Sequence, residues 1–304
     1  MKRVICCGYL CCDLAATTDG YPEENQKTFI DSLHVSAGGP AANAACLLAQ
    51  WGVETYFFGQ LGNGSFSDIV LNDLHHFGVR TDFIQRYHGP VNTAMIITNA
   101  NNGSRTVLSK KVSNAFPLTE LPTMPDIDGV LLDGHQFEWS RRLLARQPAV
   151  SVLDAGSFRD ETLDLLNRVS DPVASNAFFQ SLQKKYDTSD GFYQAFGTTL
   201  VVTDGERPVR EFSRTGVLAH PVIQVTAVDT LAAGDCFHGA YLFGRLHGLC
   251  TADTILLAAT AAGICVTRQG GCHSFPLFSE TLNCLQNQQT PQATTLYSKT
   301  KNLM

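Results

Sequence analysis

No stretch of this sequence approaches the roughly eighteen uninterrupted apolar residues that a membrane-spanning helix requires, so none is expected. Long polar tracts are missing as well. With 44% hydrophobic and 16% charged residues, the chain can bury a core and is not expected to be globally disordered. Basic residues are not in excess: the formal charge of −6 offers no general attraction to nucleic acid or to an anionic membrane. No Gly-x-Gly-x-x-Gly follows the first predicted strand, where Gly8 stands alone, which argues against a dinucleotide-dependent oxidoreductase. Internal repeats are absent. Met1-Lys2-Arg3 before the apolar run Val4 to Cys12 has the outline of a signal peptide. Gly8 and Tyr9 interrupt that run and Asp13 follows it, so a cytoplasmic chain is expected.

Cysteine, by contrast, is plentiful. A chain of 304 residues does not need disulfide stapling, and Cys6-Cys7 and Cys11-Cys12 lie inside an apolar stretch. Neighbours on a strand point to opposite faces, so neither doublet converges on a metal. The ten cysteines read as small buried hydrophobes in a reducing cytosol.

Short apolar runs alternate with longer segments of helical period, the pattern of a parallel sheet covered on both faces. Val4 to Cys7, Thr55 to Phe58, Val130 to Leu132, Val150 to Leu153 and Leu200 to Thr203 read as buried strands. Ala41 to Trp51 reads as a helix entered at Pro40 and closed by Gly52, and Ser65 to Phe77 repeats that grammar, ending at Gly78. Helices are also expected over about Asp235 to His247 and Ala252 to Thr267. Two segments, about 14–36 and 92–112, break the rhythm and together suit a small projecting sheet that covers a cleft or pairs with another subunit. One large unit over 1–280 is expected, with 281–304 as a C-terminal end whose polar tail after Leu285 is frayed.

The run Val228-Asp229-Thr230-Leu231-Ala232-Ala233-Gly234-Asp235 is the most informative part of the chain. Small residues Ala232, Ala233 and Gly234 allow close approach to a backbone that then enters a helix, whose unpaired N–H groups and dipole favour an anion. A carboxylate at Asp235, beside that anion, suits a general base taking the proton of an attacking hydroxyl. A simple helix-capping Asp is the alternative. Ala37-Gly38-Gly39-Pro40-Ala41-Ala42-Asn43 is a second turn entering a helix, this one Gly-Gly, where Asn43 can both donate to and accept from hydroxyls.

These two runs resemble the two signatures of the ribokinase-like, or PfkB, carbohydrate kinases. The second signature, Asp-Thr-x-Gly-Ala-Gly-Asp, reads Asp-Thr-Leu-Ala-Ala-Gly-Asp here, with Ala232 in place of the commonest Gly. Asp235 matches the family's catalytic base, and Asp13, Gly38, Gly39 and Asn43 match its sugar-binding positions. Asn102-Gly103-Ser104-Arg105-Thr106 looks like a segment of the ketohexokinase and fructokinase-like branch, in which Arg105 would clamp the reacting phosphates. Thr203 and Gly205 look like the strand end and turn at the ATP phosphates, with Pro208 standing where a second Gly is usual. Gly270 and Gly271 look like the loop beside adenine. Phe179 stands where the family often carries a Glu that helps organise magnesium.

The resemblance implies a ribokinase-like α/β fold, a three-layer α/β/α sandwich with a small β-sheet lid. It implies ATP, Mg2+ and, at the loop holding Asp229 and Thr230, K+. It also implies a homodimer through the lid. The reaction implied is transfer of the γ-phosphoryl group of ATP to a hydroxyl of a small sugar. A ketose, a sulfonated ketose, ribose and a nucleoside all stay open as acceptors. A sugar or nucleotide sensor without useful turnover is the rival that Ala232, Phe179 and Pro208 suggest.

Overall fold

A computed structural model describes residues 1–30, 32–112, 121–186, 191–288 and 290–303. From the N-terminus run β1 (Arg3–Cys7), β2 (Cys11–Thr18), β3 (Leu33–Gly38), α1 (Pro40–Gln50), β4 (Glu54–Gly62), α2 (Ser67–His76) and β5 (Arg80–Tyr87). Then follow β6 (Thr93–Asn99), β7 (Arg105–Lys110), β8 (Gly129–Leu132), α3 (Phe137–Leu144), β9 (Val150–Ala155), α4 (Asp160–Leu166), β10 (Asp171–Ser175) and α5 (Asn176–Lys185). The last part holds α6 (Phe192–Phe196), β11 (Leu200–Asp204), β12 (Arg207–Ser213), β13 (Gly216–His220), α7 (Ala233–Leu246), α8 (Thr251–Cys265), α9 (Phe278–Asn287) and α10 (Pro291–Thr300).

The large sheet has the order β13-β12-β11-β10-β9-β8-β1-β4-β5. Its strands are parallel from β11 to β5, and β12 and β13 add an antiparallel hairpin at one edge. Because strand side chains alternate, Val4 and Cys6 enter the core on one face while Ile5 and Cys7 enter the core on the other. Both faces are therefore apolar, which is why β1 reads as a continuous hydrophobic run. One face packs against α1, α7 and α8, and the other against α3 and α5. None of the ten cysteines is in a disulfide, and eight are buried, as small hydrophobes.

Helices α1 and α7 pack closely because small residues face each other. A Cβ added at Gly239 would come within 3.0 Å of the Ala44 carbonyl oxygen. This approach carries functional groups with it, since Asn43 precedes Ala44 and Asp235 lies one turn before Gly239. Trp51, just past α1, is buried against Phe243 and Phe278 and donates its indole N–H to the Pro276 carbonyl at 3.0 Å. Burying each such aromatic contributes about 1.5–3 kcal/mol, so the α1–α7 contact is held well away from the site itself.

A second sheet has the order β3-β2-β6-β7 and is built from the two segments that break the βα rhythm. Strand β2 begins at Cys11, ahead of position 14, so Asp13 belongs to this small sheet. Its inner face rests on the start of the α7 loop through Ala15, Ala94, Ile96 and Leu231. The C-terminal end corrects an expectation: the described residues past Leu285 are not a frayed tail. Thr290 caps α10 by accepting from the Ala293 N–H at 3.2 Å, and Ala293, Leu296 and Thr300 are fully buried. No helix among the described residues is long and apolar enough to cross a membrane.

Candidate functional site

The carboxyl end of β1 and the lid strand β2 create the first half of the site. Asp13 on β2 pairs with Ser36 on β3 and is 7% exposed. Gly38 must lack a side chain, because a Cβ there would lie 2.2 Å from the Asp13 carboxylate. Gly39 has φ +110, and its Cβ would meet the Tyr9 carbonyl oxygen at 2.2 Å. The turn thus lays bare backbone beside Asp13 and then enters α1 at Pro40, which needs no N–H at the first helical position. One turn later Asn43 is buried. Its Nδ2 donates to Asp235 Oδ2 at 2.6 Å, and its Oδ1 is buried with no partner.

The second half is the start of α7. Ala232 has φ +60 and ψ 8, the left-handed conformation that turns the loop into the helix. First-turn N–H groups have no intrahelical acceptor, so this end of α7 is an anion site by construction. Ala232 is itself buried and supplies the turn, whereas Ala233 and Gly234 line the adjoining cleft. Behind Gly234 lies a buried pair. His238 Nδ1 sits 2.6 Å from the Gly234 carbonyl oxygen and 3.4 Å from Asp154 Oδ2.

Burial dominates the electrostatics. It raises the Asp235 carboxyl above the ordinary carboxylate range, while the Asn43 hydrogen bond and the neighbouring His238 and Arg105 pull the other way. Burial likewise pushes Asp13 up to about 6, opposed by the Cys11 thiol hydrogen bond and reinforced by the charge of Asp235. Asp154 is pushed up to about 6, again chiefly by burial. Two carboxyls that resist ionisation, with a Gly-Gly turn beside them, suit hydroxyl groups that can hydrogen-bond to either protonation state.

From Ala233 and Gly234 a cleft of about 560 Å³ runs outward between the α7–α8 pair and the β11–β12 turn. Its walls include Val222, Ile223, Val225, Ala262 and Val266, an apolar slot suited to a flat ring. Thr203 and Gly205 line it, and nothing lies within 4 Å of a Cβ placed on Gly205. Arg105 overhangs the same cleft, with Nη1 2.5 Å from the Thr230 carbonyl oxygen and 3.0 Å from Thr230 Oγ1. Gly270 and Gly271 are not brought to this lining; a Cβ on Gly271 would instead approach Leu231 and the Ser36 hydroxyl. Gly271 thus borders the acceptor half of the site rather than the apolar slot, and Gly270 faces His273.

Most of the donors suggested for potassium are engaged in hydrogen bonds in this arrangement. Asp229 Oδ1 already accepts from Thr98 Oγ1 at 3.3 Å and from the Leu231 N–H at 2.9 Å. The Thr230 carbonyl accepts from the Arg105 guanidinium, and the Thr230 hydroxyl donates to the Gly103 carbonyl. At the Thr230 carbonyl a cation would compete with the Arg105 guanidinium. For magnesium, Phe179 is buried among Phe192 and Phe212 under the Arg210 guanidinium, so it offers no ligand. Among the described residues lining the cleft, Glu206 is the only carboxylate.

Sequence reasoning missed Asp133, Asp154 and His238, because nothing in their local sequence marks them. They come together only at the strand ends, Asp133 after β8 and Asp154 in β9, where the sheet topology meets α7. It also missed the apolar slot, whose walls come from loops before α7 and from α8.

The model of the pfkB family carbohydrate kinases matches residues 1–122 and 179–277. A ribokinase of Bacillus subtilis (strain 168) is 24% identical over 291 residues, covering 92% of this chain and 98% of that protein. The crystal structure of a putative ribokinase from Agrobacterium tumefaciens superposes with a TM-score of 0.84 at 24% identity, covering 94% of this chain and 98% of the other. Arabidopsis thaliana ribokinase complexed with ribose and ATP superposes with a TM-score of 0.73 at 20% identity, over 93% and 98% of the two chains. The large sheet with its helical layers and the small second sheet are therefore the ribokinase-like fold. These relatives leave the ketohexokinase and fructokinase-like branch, drawn from Asn102 to Thr106, without specific support. With its two glycine turns, its buried carboxyls and its cleft, the chain belongs to the pfkB family of carbohydrate kinases.

Proposed function

We propose that the protein transfers the γ-phosphoryl group of ATP to a hydroxyl of a small sugar, with Asp235 as general base. The observation that carries this reading is the buried, unpartnered Oδ1 of Asn43 beside Asp235. An orphaned buried acceptor costs about 1–3 kcal/mol, which a substrate hydroxyl donating to it would offset. Asp13 and the Gly38-Gly39 backbone supply the remaining contacts to the acceptor. Asn43 Nδ2 holds the Asp235 carboxylate in place while Asp235 receives the acceptor proton.

The nucleotide occupies the 560 Å³ cleft, its base in the slot of Val222, Ile223, Val225, Ala262 and Val266. Its terminal phosphates reach Ala233 and Gly234, where first-turn N–H groups stabilise the charge that develops in transfer. Arg105 overhangs this point and can leave the Thr230 carbonyl for a phosphate oxygen, a stronger charge-assisted partner. Magnesium would neutralise phosphate charge and would be held largely by the nucleotide and water, which suits an ion that keeps most of its hydration shell, with Glu206 the one carboxylate among the described residues of the lining. No step is assigned to potassium.

The acceptor class is a ketose or a pentose, the first from the Asn102 to Thr106 segment and the second by analogy with the ribokinases. A homodimer through the outer face of the small sheet accompanies this reading. Asp235→Asn is the direct test, because the amide keeps the shape and the Asn43 contact but cannot take a proton. Turnover is expected to fall by at least about 10²-fold, measured as ADP release, with nucleotide binding retained. Near-normal turnover would remove the base from Asp235. A wild-type protein that binds ATP and sugars yet releases no ADP would instead be a sensor.

A further inference from the structure

Another polar cluster borders the acceptor site, where β1, β8 and β9 end, and the kinase reading leaves it without a task. Its centre is Asp133, whose carboxylate is wholly spent inside the fold. Oδ2 accepts from the Tyr9 N–H at 2.8 Å and faces the Ala41 N–H at 3.4 Å, and Oδ1 accepts from the His135 N–H at 2.9 Å. Around it stand three basic side chains from three separate segments. His135 Nδ1 is 3.2 Å from Asp133 Oδ1, and its ring stacks on Tyr9 with centroids 5.0 Å apart. Lys111 Nζ lies 3.3 Å from His135 Nε2 and 5.3 Å from the Tyr9 ring centre. Arg159 places Nη2 2.9 Å from the Asp133 carbonyl oxygen and 3.5 Å from His135 Nδ1.

Two features of this cluster are unexplained by packing. Arg159 Nε is buried with no partner. Among the described residues, no carboxylate lies within ion-pair distance of Lys111 or Arg159, in a chain whose net charge is −6. Asp133 answers the charge of His135 alone, so two cations on the same imidazole without a carboxylate of their own, one with a buried donor unpaired, are unfavourable unless a further anion joins them. The cluster is also tied to the acceptor turn. Tyr9 supplies the carbonyl that crowds Gly39, and Asp133 faces the N–H of Ala41 in the first turn of α1.

We propose that the acceptor is an anionic sugar, carrying a phosphate, sulfonate or carboxylate group, and that Lys111, His135 and Arg159 bind that group. The inference rests on the reading of Asp13, Asn43 and Asp235 as the acceptor site. Those residues recognise the hydroxyls, and the cluster beyond the Gly38-Gly39 turn recognises the charge. Arg159 donates through its Nε and Lys111 through an ammonium that is otherwise only ring-bound, while His135, with Nδ1 on Asp133 and Nε2 on Lys111, holds the two cations in place or turns its Nε2 from Lys111 to the anion.

The test compares neutral sugars with their charged counterparts on the full-length protein: a pentose and its 5-phosphate, a ketohexose with its 6-phosphate and its 6-sulfonate, and a sugar acid. ADP release is measured for wild type, Lys111→Met, Arg159→Met and Arg159→Lys, with melting temperatures to confirm folding. At least one charged acceptor should exceed its neutral parent about tenfold or more in kcat/KM, as one or two charge-assisted hydrogen bonds provide. Lys111→Met should cut that ratio about tenfold, mainly through KM, and Arg159→Lys should retain more of it than Arg159→Met. Turnover of neutral sugars with no preference for charge overturns this inference and leaves the kinase reading intact. A ratio that Lys111→Met does not change overturns it equally, whatever becomes of the Arg159 variants. If no acceptor is turned over, the acceptor reading itself is at fault. Calorimetric titration with the same pairs then decides the anion site, and equal affinity for charged and neutral members overturns it.

Discussion

At the scale of single residues, Ala232 shows how a departure from a motif becomes a physical cost. The sequence alone makes it a small residue in place of the usual Gly. The structure adds that it must hold φ +60, where the Cβ of an L-residue crowds the following carbonyl. That conformation costs roughly 1–2 kcal/mol for Ala, part of which Gly would return as greater unfolded-state entropy. Ala232→Gly should therefore raise stability by up to about 1 kcal/mol, seen calorimetrically as a rise of a few degrees in Tm at most. A lower Tm would mean that the buried methyl packs better than this account allows. Asn43 illustrates the opposite limit. Its residue type was legible beside the Gly-Gly turn, but the unpartnered Oδ1 depends on Asp235 arriving from a helix 192 residues away.

At the scale of elements, what could be read from sequence was whatever buries a dense apolar pattern. Strand β1 is apolar on both faces, and α1 and α7 carry runs of small residues bracketed by Pro40, Gly52 and Gly234, so their places were visible. Helix α10 was not, because it buries only a thin stripe, Ala293, Leu296 and Thr300, in an otherwise polar segment. Its Thr290-Pro291 start was the usable signal. The hairpin of β12 and β13 was missed for a similar reason, since β13 is almost wholly exposed, β12 fully buries only Val209, and neither shows strong alternation. The small sheet leaves an apolar outer face. Leu14 pairs with Met95 and Met95 with Leu108, so the three share one side, and Met95 and Leu108 are each 58% exposed. Covering that face by a second copy is the proposed use of the sheet. Wild type is expected to sediment as a dimer, and Met95→Glu with Leu108→Glu as a monomer, because a charge buried without a partner opposes the contact. A wild-type protein that stays monomeric at tens of micromolar would remove the lid from any role in assembly.

For the whole molecule, the buried carboxyls make stability and activity want different pH. Burial raises Asp13 and Asp154 to about 6, so the folded chain keeps protons that the unfolded chain has already released between about pH 4 and pH 6. The unfolded state then binds fewer protons than the native state, and stability falls as pH rises across that window. Asp73, Asp128, Asp133 and Glu280 are shifted the other way, Asp73 by His273 and the Ala37 N–H, Asp128 chiefly by the Arg3 N–H, Asp133 by His135, and Glu280 by Arg268. Their contribution is lost as pH falls below about 4. Maximum stability is expected in mildly acidic solution, near pH 5, whereas the base Asp235 must be ionised to work and favours higher pH. Asp13→Asn isolates one group. At pH 4 it should change stability little by this route, and by pH 7 it should gain on wild type by on the order of 3 kcal/mol, the linkage of a shift of about two units. The same variant should lose acceptor affinity, so a site that binds sugar hydroxyls would be seen to weaken the fold that holds it. Urea denaturation of both proteins from pH 4 to pH 7 measures the gain. A stability difference that stays flat across that range would mean that Asp13 titrates as an ordinary carboxylate, and that its burial does not govern the site.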